Sequence, residues 1–321
     1  MNIIGGYLYV YFRGDVYGNG ESQHVHMALS KDGFHFKAFK DNPVLIATKG
    51  TKGVRDPHLF YNIITDKYYV IGTDLDSNEG EWAKYSNNAS LNICVWESDD
   101  LVNWSDEFLI PLAEEGTNFM WAPTVAFDKD AGDYIVLWSS SSKLYPNGKC
   151  IYYAHTKDFH TYSQPEIFKE VELNASRLKS METGEISPYI TFIDSTIMEH
   201  EGKYYHFVKR EQDVTVRLEV SNNLYKNYEV VKNVIAGEYG VEGPAIYPLP
   251  DGKRWILMLD GYCGSYEKKG YMPYIAESVE ALDKGEFRKL KRAEFTLPLG
   301  AKHGSFLPLT KEQFDTLSKR L

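Results

Sequence analysis

The sequence predicts an all-β protein, a five-bladed β-propeller, and three observations carry that prediction. A polar turn ending in an aromatic recurs five times, each time after an aromatic-rich strand. A further short strand precedes four of these five strands. The fifth partner, absent at the N-terminus, is available near the C-terminus.

The turn reads Ser30-Lys-Asp32 running to Phe36, then Ser98-Asp-Asp100 to Trp104, Thr156-Lys-Asp158 to Tyr162 and Ser221-Asn-Asn223 to Tyr228. A weaker form runs from Ser278-Val-Glu280 to Phe287. Successive units begin 68, 58, 65 and 57 residues apart, the size of a four-stranded blade with decorated loops. The strands ahead of the turns are Tyr7–Phe12, Tyr68–Ile71, Tyr134–Trp138, Tyr204–Val208 and Trp255–Leu259. Their aromatic and β-branched content suits a pleated, half-buried surface. The preceding short strands are Asp56–Phe60, Ala122–Phe127, Asp194–Met198 and Gly243–Tyr247. Only six residues come before Tyr7, so the first unit lacks this strand, and Gly304–Pro308 can supply it. Such closure leaves no open sheet edge. An irregular β-sandwich is the competing architecture, but it gives no reason for the missing strand. One short helix is expected near Lys311–Lys319, from the spacing of Phe314, Leu317 and Leu321. The expected organisation is one propeller domain over residues 1–321.

Composition narrows the function classes. The chain has 321 residues, a formal net charge of −10 and a pI near 5.4, with no basic stripe, which argues against nucleic acid as a partner. No apolar run is long enough for a membrane-spanning helix. Cys94, Cys150 and Cys263 are odd in number and widely spaced, which points to a reducing compartment rather than a disulfide framework. The start, Met1 to Tyr7, lacks the features of a signal peptide. The expected location is therefore the cytoplasm. The sequence carries no signal for an oligomeric state.

In a propeller the innermost strand of each blade lines a central channel, and the heads of these strands meet at one mouth. The residues there are expected to be Asp56, Trp121, Asp194, Glu242 and His303. Each of the three acids alone also fits a turn or capping role; their shared position on successive inner strands favours function. Like charges in a partly dry cleft push at least one carboxyl pKa upward. A carboxylic acid beside a carboxylate is what glycosidic cleavage requires. Trp121 is either core or a platform for a sugar ring, and His303 either a structural histidine or a ligand for water or a cation. Asp74, Asp76 and Asp260 are expected in solvated loops.

With these residues in place, the chain resembles glycoside hydrolase family 43 over about residues 7–310. Val54-Arg-Asp-Pro-His-Leu-Phe60 looks like the family's first motif, Val95–Trp104 a blade turn of its arabinofuranosidase-type members, and Trp121-Ala-Pro123 its Trp-Ala-Pro segment. Phe192-Ile-Asp-Ser-Thr196, Val241-Glu-Gly-Pro244 and Lys302-His-Gly-Ser305 match its later motifs. The resemblance implies Asp56 as general base, Glu242 as general acid and Asp194 as the residue that modulates the acid. It places His303 near an axial water or cation, a Ca or Na ion, and implies no organic cofactor. Thr124 stands where the family usually has Glu, so Thr124, with Trp121 and Arg55, is a candidate substrate contact. Arg55-Asp-Pro57 is also similar to a motif of the fructan and sucrose hydrolases, retaining propellers whose other motifs are absent here.

The expected activity is an inverting glycosidase releasing terminal sugars, foremost α-L-arabinofuranosyl groups, from oligosaccharides. β-Xylosidase and β-galactofuranosidase activity on the same scaffold stay open, as does a non-catalytic carbohydrate-binding propeller.

Overall fold

The computed structural model describes residues 4–14, 21–78, 80, 82–181, 183–262 and 270–321. Cys263 and residues 1–3, part of the segment read for a signal peptide, lie outside them.

Five four-stranded antiparallel sheets form the blades of a propeller. Blade II consists of Val54–Asn62, Lys67–Asp74, Asn92–Ser98 and Phe108–Pro111. Blade III consists of Trp121–Asp128, Asp133–Ser141, Lys149–Thr156 and Glu166–Lys169. Blade IV consists of Phe192–His200, Lys203–Arg210, Thr215–Ser221 and Glu229–Lys232. Blade V consists of Val241–Pro248, Trp255–Gly261, Gly270–Ala276 and Arg288–Lys289. Each inner strand packs on the next around a closed ring.

Blade I is closed from both ends of the chain. Its inner strand is Ala301–Leu309, followed by Gly6–Arg13, His26–Ser30 and Lys37–Ala38. Antiparallel pairing sets Tyr9 opposite Phe306 and Tyr11 opposite Gly304. A Cβ on Gly304 would lie 2.0 Å from the Val10 carbonyl oxygen, so the close approach of these strands requires glycine. The short helix Lys311–Leu317 follows, started by a Thr310–Gln313 capping box.

The tyrosines fill the wedges between blades. Tyr9 stacks on Phe306 with centroids 4.3 Å apart, and Phe306 stacks on Tyr247 of blade V at 4.4 Å. The phenols find carbonyls: Tyr7 donates to Pro248, Tyr247 to Gly33, and Tyr271 to Gly243 and Gly304. A tyrosine thus supplies apolar bulk to the wedge and satisfies its own polar tip.

The recurring turns have a common mechanism in four blades. Asp32 accepts from the amides of Phe34 and His35, Asp100 from Val102 and Asn103, Asp158 from His160 and Thr161, and Asn223 from Tyr225. The fifth differs. Ser278 caps a short helix, Val279–Asp283, by accepting from the Ala281 amide, which is why its sequence match is weak.

Candidate active site

Four inner strands begin with the same irregularity. The ladder slips at Arg55–His58, Trp121–Thr124, Ile193–Ser195 and Glu242–Ala245. In each slip one residue takes a left-handed conformation: Asp56 (φ 51°), Ala122 (φ 48°), Asp194 (φ 49°) and Gly243 (φ 54°). Non-glycine residues are sterically crowded there, so Asp56 and Asp194 hold strained positions. At Gly243 a Cβ would also meet the His303 ring at 2.5 Å.

This bulge corrects the expected alignment. Asp56 and Asp194 are equivalent, but Glu242 and Trp121 stand one residue earlier, level with Arg55 and Ile193. Normally a one-residue offset turns a side chain to the opposite face. The bulge re-aims the chain, and both members of each pair border the same cavity at the mouth. The signal was present in the sequence, since Pro57, Pro123 and Pro244 all follow the left-handed residue.

Four of the five strand heads are tied to the preceding blade through their backbone. The Ala122 amide donates to Thr73 Oγ1 at 2.8 Å, that of Asp194 to Ser139 Oγ at 2.9 Å, that of Gly243 to Asp194 Oδ2 at 3.0 Å, and that of His303 to Asp260 Oδ2 at 3.1 Å. The carboxylates are therefore fixed by the ring as a whole. Ser195, beside Asp194, is anchored within blade IV by its side chain: its hydroxyl lies 2.8 Å from His206 Nε2, and Glu219 contacts the other ring nitrogen.

The mouth cavity has a volume of about 600 Å³. The three acids Asp56, Asp194 and Glu242 line it together with Arg55, Trp121 and Trp82. Arg55 lies between the rings of Phe12, 4.3 Å away, and Trp82, 5.3 Å away, and donates to Ser77 at 2.9 Å. Trp121 is half-buried and stacks on Phe119. Thr124 is elsewhere. It borders a separate axial cavity of about 210 Å³, and its hydroxyl donates to the Ser195 carbonyl at 2.7 Å. That placement corrects the expected rim contact and makes Thr124 a tie between blades III and IV.

The charges divide by environment. Burial alone would raise the Asp56 carboxyl, but its hydrogen bond and charge contact with His303, 3.1 Å away, hold it below the ordinary range, assisted by Arg55 and Thr73. Burial would lower His303, but Asp56 first, then Asp194 and Asp260, raise it to about 9. Asp194 behaves oppositely: burial, then the Glu242 charge, push it up to about 7. The raised carboxyl expected of clustered acids is thus Asp194 in the resting site, beside an ionised Asp56.

Sequence reasoning missed the cationic side of the mouth: Lys149, Lys209 and Lys302, with Glu211 and Tyr262. It also misplaced two acids. Asp260 is buried, accepts from Lys302 Nζ at 2.9 Å, and has a carboxyl raised by burial. Asp74 is buried and accepts from Thr51 and Ser90. Only Asp76 is partly exposed, as expected for a loop position. Lys302 stands in the Lys302-His-Gly-Ser305 motif on an inner strand, but the others lie on or just beyond second and third strands and carry no motif, so only the ring geometry brings them to the site.

The Asp56 contact favours the imidazolium form of His303, which has no lone pair to offer. Burial and the His303 charge hold nearby His58 down at about 3. Among the described residues, the clustered carboxylate and imidazole ligands are Asp128, Asp133 and His155, at the far end of the blade III inner strand. Those atoms are already engaged with one another and with Tyr225.

Comparison with known proteins agrees with this geometry. Residues 2–315 match a family described as a probable glycosyl hydrolase domain, related to glycoside hydrolase family 43. The chain belongs to that family. It is 28% identical over 227 residues to an α-L-arabinofuranosidase of Bifidobacterium longum subsp. longum, covering 64% of this chain and 20% of the relative. The chain thus spans about a fifth of that relative's length. The fold is similar to that of an endo-1,4-β-xylanase from Bacteroides thetaiotaomicron, with a TM-score of 0.58 at 16% identity over 91% of this chain and 95% of that one. It is similar also to a family-43 β-1,3-galactosidase, with a TM-score of 0.58 at 14% identity over 92% of this chain and 58% of that one. Family membership and the five-bladed propeller fold thus agree with the resemblance to glycoside hydrolase family 43.

Proposed function

We propose that the protein is an inverting exo-glycosidase that releases terminal α-L-arabinofuranosyl groups from oligosaccharides in the cytoplasm. The observation that carries this reading is the convergence of Asp56, Asp194 and Glu242 on one mouth cavity, with Asp56 held ionised and Asp194 raised to about 7. Asp56, gripped by His303 and Thr73, is the base that takes a proton from water as that water attacks the anomeric carbon. Glu242 gives its proton to the glycosidic oxygen as the C–O bond breaks. Asp194, hydrogen-bonded to the Gly243 amide, sits against the acid and modulates its charge. Trp121 offers an apolar face to the sugar and Arg55 donors to its hydroxyls. A cavity of about 600 Å³ suits a terminal sugar and its neighbour better than a long polymer. The arabinofuranosidase relative supports the choice of sugar.

A panel of nitrophenyl glycosides tests this, with the product anomer followed by NMR on the best substrate. The expected result is turnover of the α-L-arabinofuranoside with inversion. Retention would require a carboxylate nucleophile about 5 Å from the acid and would refute the assigned roles. Preference for β-xyloside or β-galactofuranoside would change the sugar and leave the mechanism. Sugar binding without turnover of any glycoside would make the propeller a binding module.

A further inference from the structure

Glu242 is held from one side. Its Oε2 accepts from Lys209 Nζ at 3.0 Å, while no hydrogen bond to a described residue engages Oε1. The side chain is partly open to the cavity, at 25% exposure, whereas that of Lys209 is 3% exposed. Lys209 Nζ also contacts Glu211 Oε1 at 2.8 Å and lies 4.5 Å from the centre of the Tyr262 ring. Glu211 is held in turn by Lys149, whose Nζ reaches Oε2 at 2.5 Å. The series Lys149, Glu211, Lys209, Glu242 alternates in sign from blade III through blade IV to blade V.

A buried lysine is costly unless its charge is paired on more than one side. Here burial would lower the Lys209 pKa, and Glu211 and Glu242 together hold the ammonium charged. Glu211 is likewise kept at about 2, against its own burial, by Lys209 and Lys149. A glutamate at a bulge, free to rotate, would spread its carboxyl over several rotamers. Misplacing a reacting group by about 1 Å can cost on the order of 100-fold in rate.

We propose that Lys209, clamped by Glu211 and Lys149, is a positioning residue that fixes Glu242 through Oε2 and presents Oε1 as the proton-donating atom. This rests on Glu242 being the general acid. In the step itself Glu242, having taken a proton at Oε1 from the open side of the cavity, passes it to the leaving oxygen as the C1–O bond breaks. The attacking water forms the new C1–O bond and gives its proton to Asp56.

The test compares two aryl glycosides of the preferred sugar. A phenyl leaving group needs the acid, and a 2,4-dinitrophenyl leaving group does not. Lys209→Met should lower kcat on the phenyl substrate about 100-fold and on the dinitrophenyl substrate by less than about fivefold, with KM nearly unchanged. Lys209→Arg should restore most of the loss, because a cation again reaches Oε2. An equal fall on both substrates, a change confined to KM, or no change would overturn the proposal. Glu242→Ala, measured alongside, separates the two layers. If its loss ignores the leaving group, the assignment of the acid fails. If its loss follows the leaving group and that of Lys209→Met does not, only the positioning role fails. Should Lys209→Met not fold, Glu211→Gln loosens the same clamp. It should show a smaller loss with the same leaving-group dependence, and an equal loss on both substrates would refute the clamp.

Discussion

Replacing Asp194 by asparagine should stabilise the protein while abolishing turnover, and the size of the gain should depend on pH. Asp194 is buried, and burial followed by the Glu242 charge raises its carboxyl from 3.8 to about 7. Between those values the folded state binds a proton that the unfolded chain has released, so stability falls as pH rises through this window. A tenfold difference in proton affinity between the two states is worth about 1.4 kcal/mol. At about pH 4 the wild type loses less than about 1 kcal/mol through this group, and by about pH 6.5 the loss approaches 3–4 kcal/mol. Asparagine carries no charge and keeps an oxygen for the Gly243 amide, whose bond to Asp194 Oδ2 is 3.0 Å. Any fixed cost of the substitution is the same at both pH values. The advantage of Asp194→Asn over wild type should therefore grow by about 3 kcal/mol between about pH 4 and 6.5. Urea denaturation at the two pH values measures it. A gap that stays constant would show that Asp194 is not held protonated and would refute the division of charge at the mouth.

His303, raised from 6.5 to about 9, should contribute stability that is complete below pH 6.5 and lost as pH rises through about 9. The gap between wild type and His303→Asn should accordingly shrink by about 3 kcal/mol across that range, read by denaturation at each end. Trp121→Ala removes a wall of the mouth and should raise KM about tenfold on a nitrophenyl substrate, the effect of losing about 1.4 kcal/mol of ring contact, with a smaller change in kcat. Phe306→Ala removes the ring that Tyr9 and Tyr247 stack on, at 4.3 and 4.4 Å. It should cost about 3–5 kcal/mol in urea denaturation, and a loss below about 1 kcal/mol would contradict the closure of blade I by the C-terminal strand.

Much of this protein was determined by sequence alone. Alternating aromatic strands and Asp- or Asn-centred turns are local, so their five-fold recurrence was legible, and so was the absence that the C-terminal strand repairs. Asp56, Asp194 and Glu242 could be picked out because each stands beside a strand start that recurs. The bulge was not legible in detail. Its left-handed residue displaces the register by one, so Glu242 is level with Arg55 rather than with Asp56, and only backbone geometry shows that both still border one cavity. Thr124 looked like a rim residue from its place in a motif, yet the same geometry turns it onto the channel and commits its hydroxyl to Ser195. Lys209, Glu211, Lys149 and Asp260 lie on second and third strands or just beyond them, with nothing in their neighbours to mark them. Their part follows from long-range charge pairing across blades, which is a property of the closed ring and not of any segment in it. The tertiary structure alone decided which acid is raised and which is ionised, because that depends on burial and on the His303 imidazole, 247 residues from Asp56 in the chain.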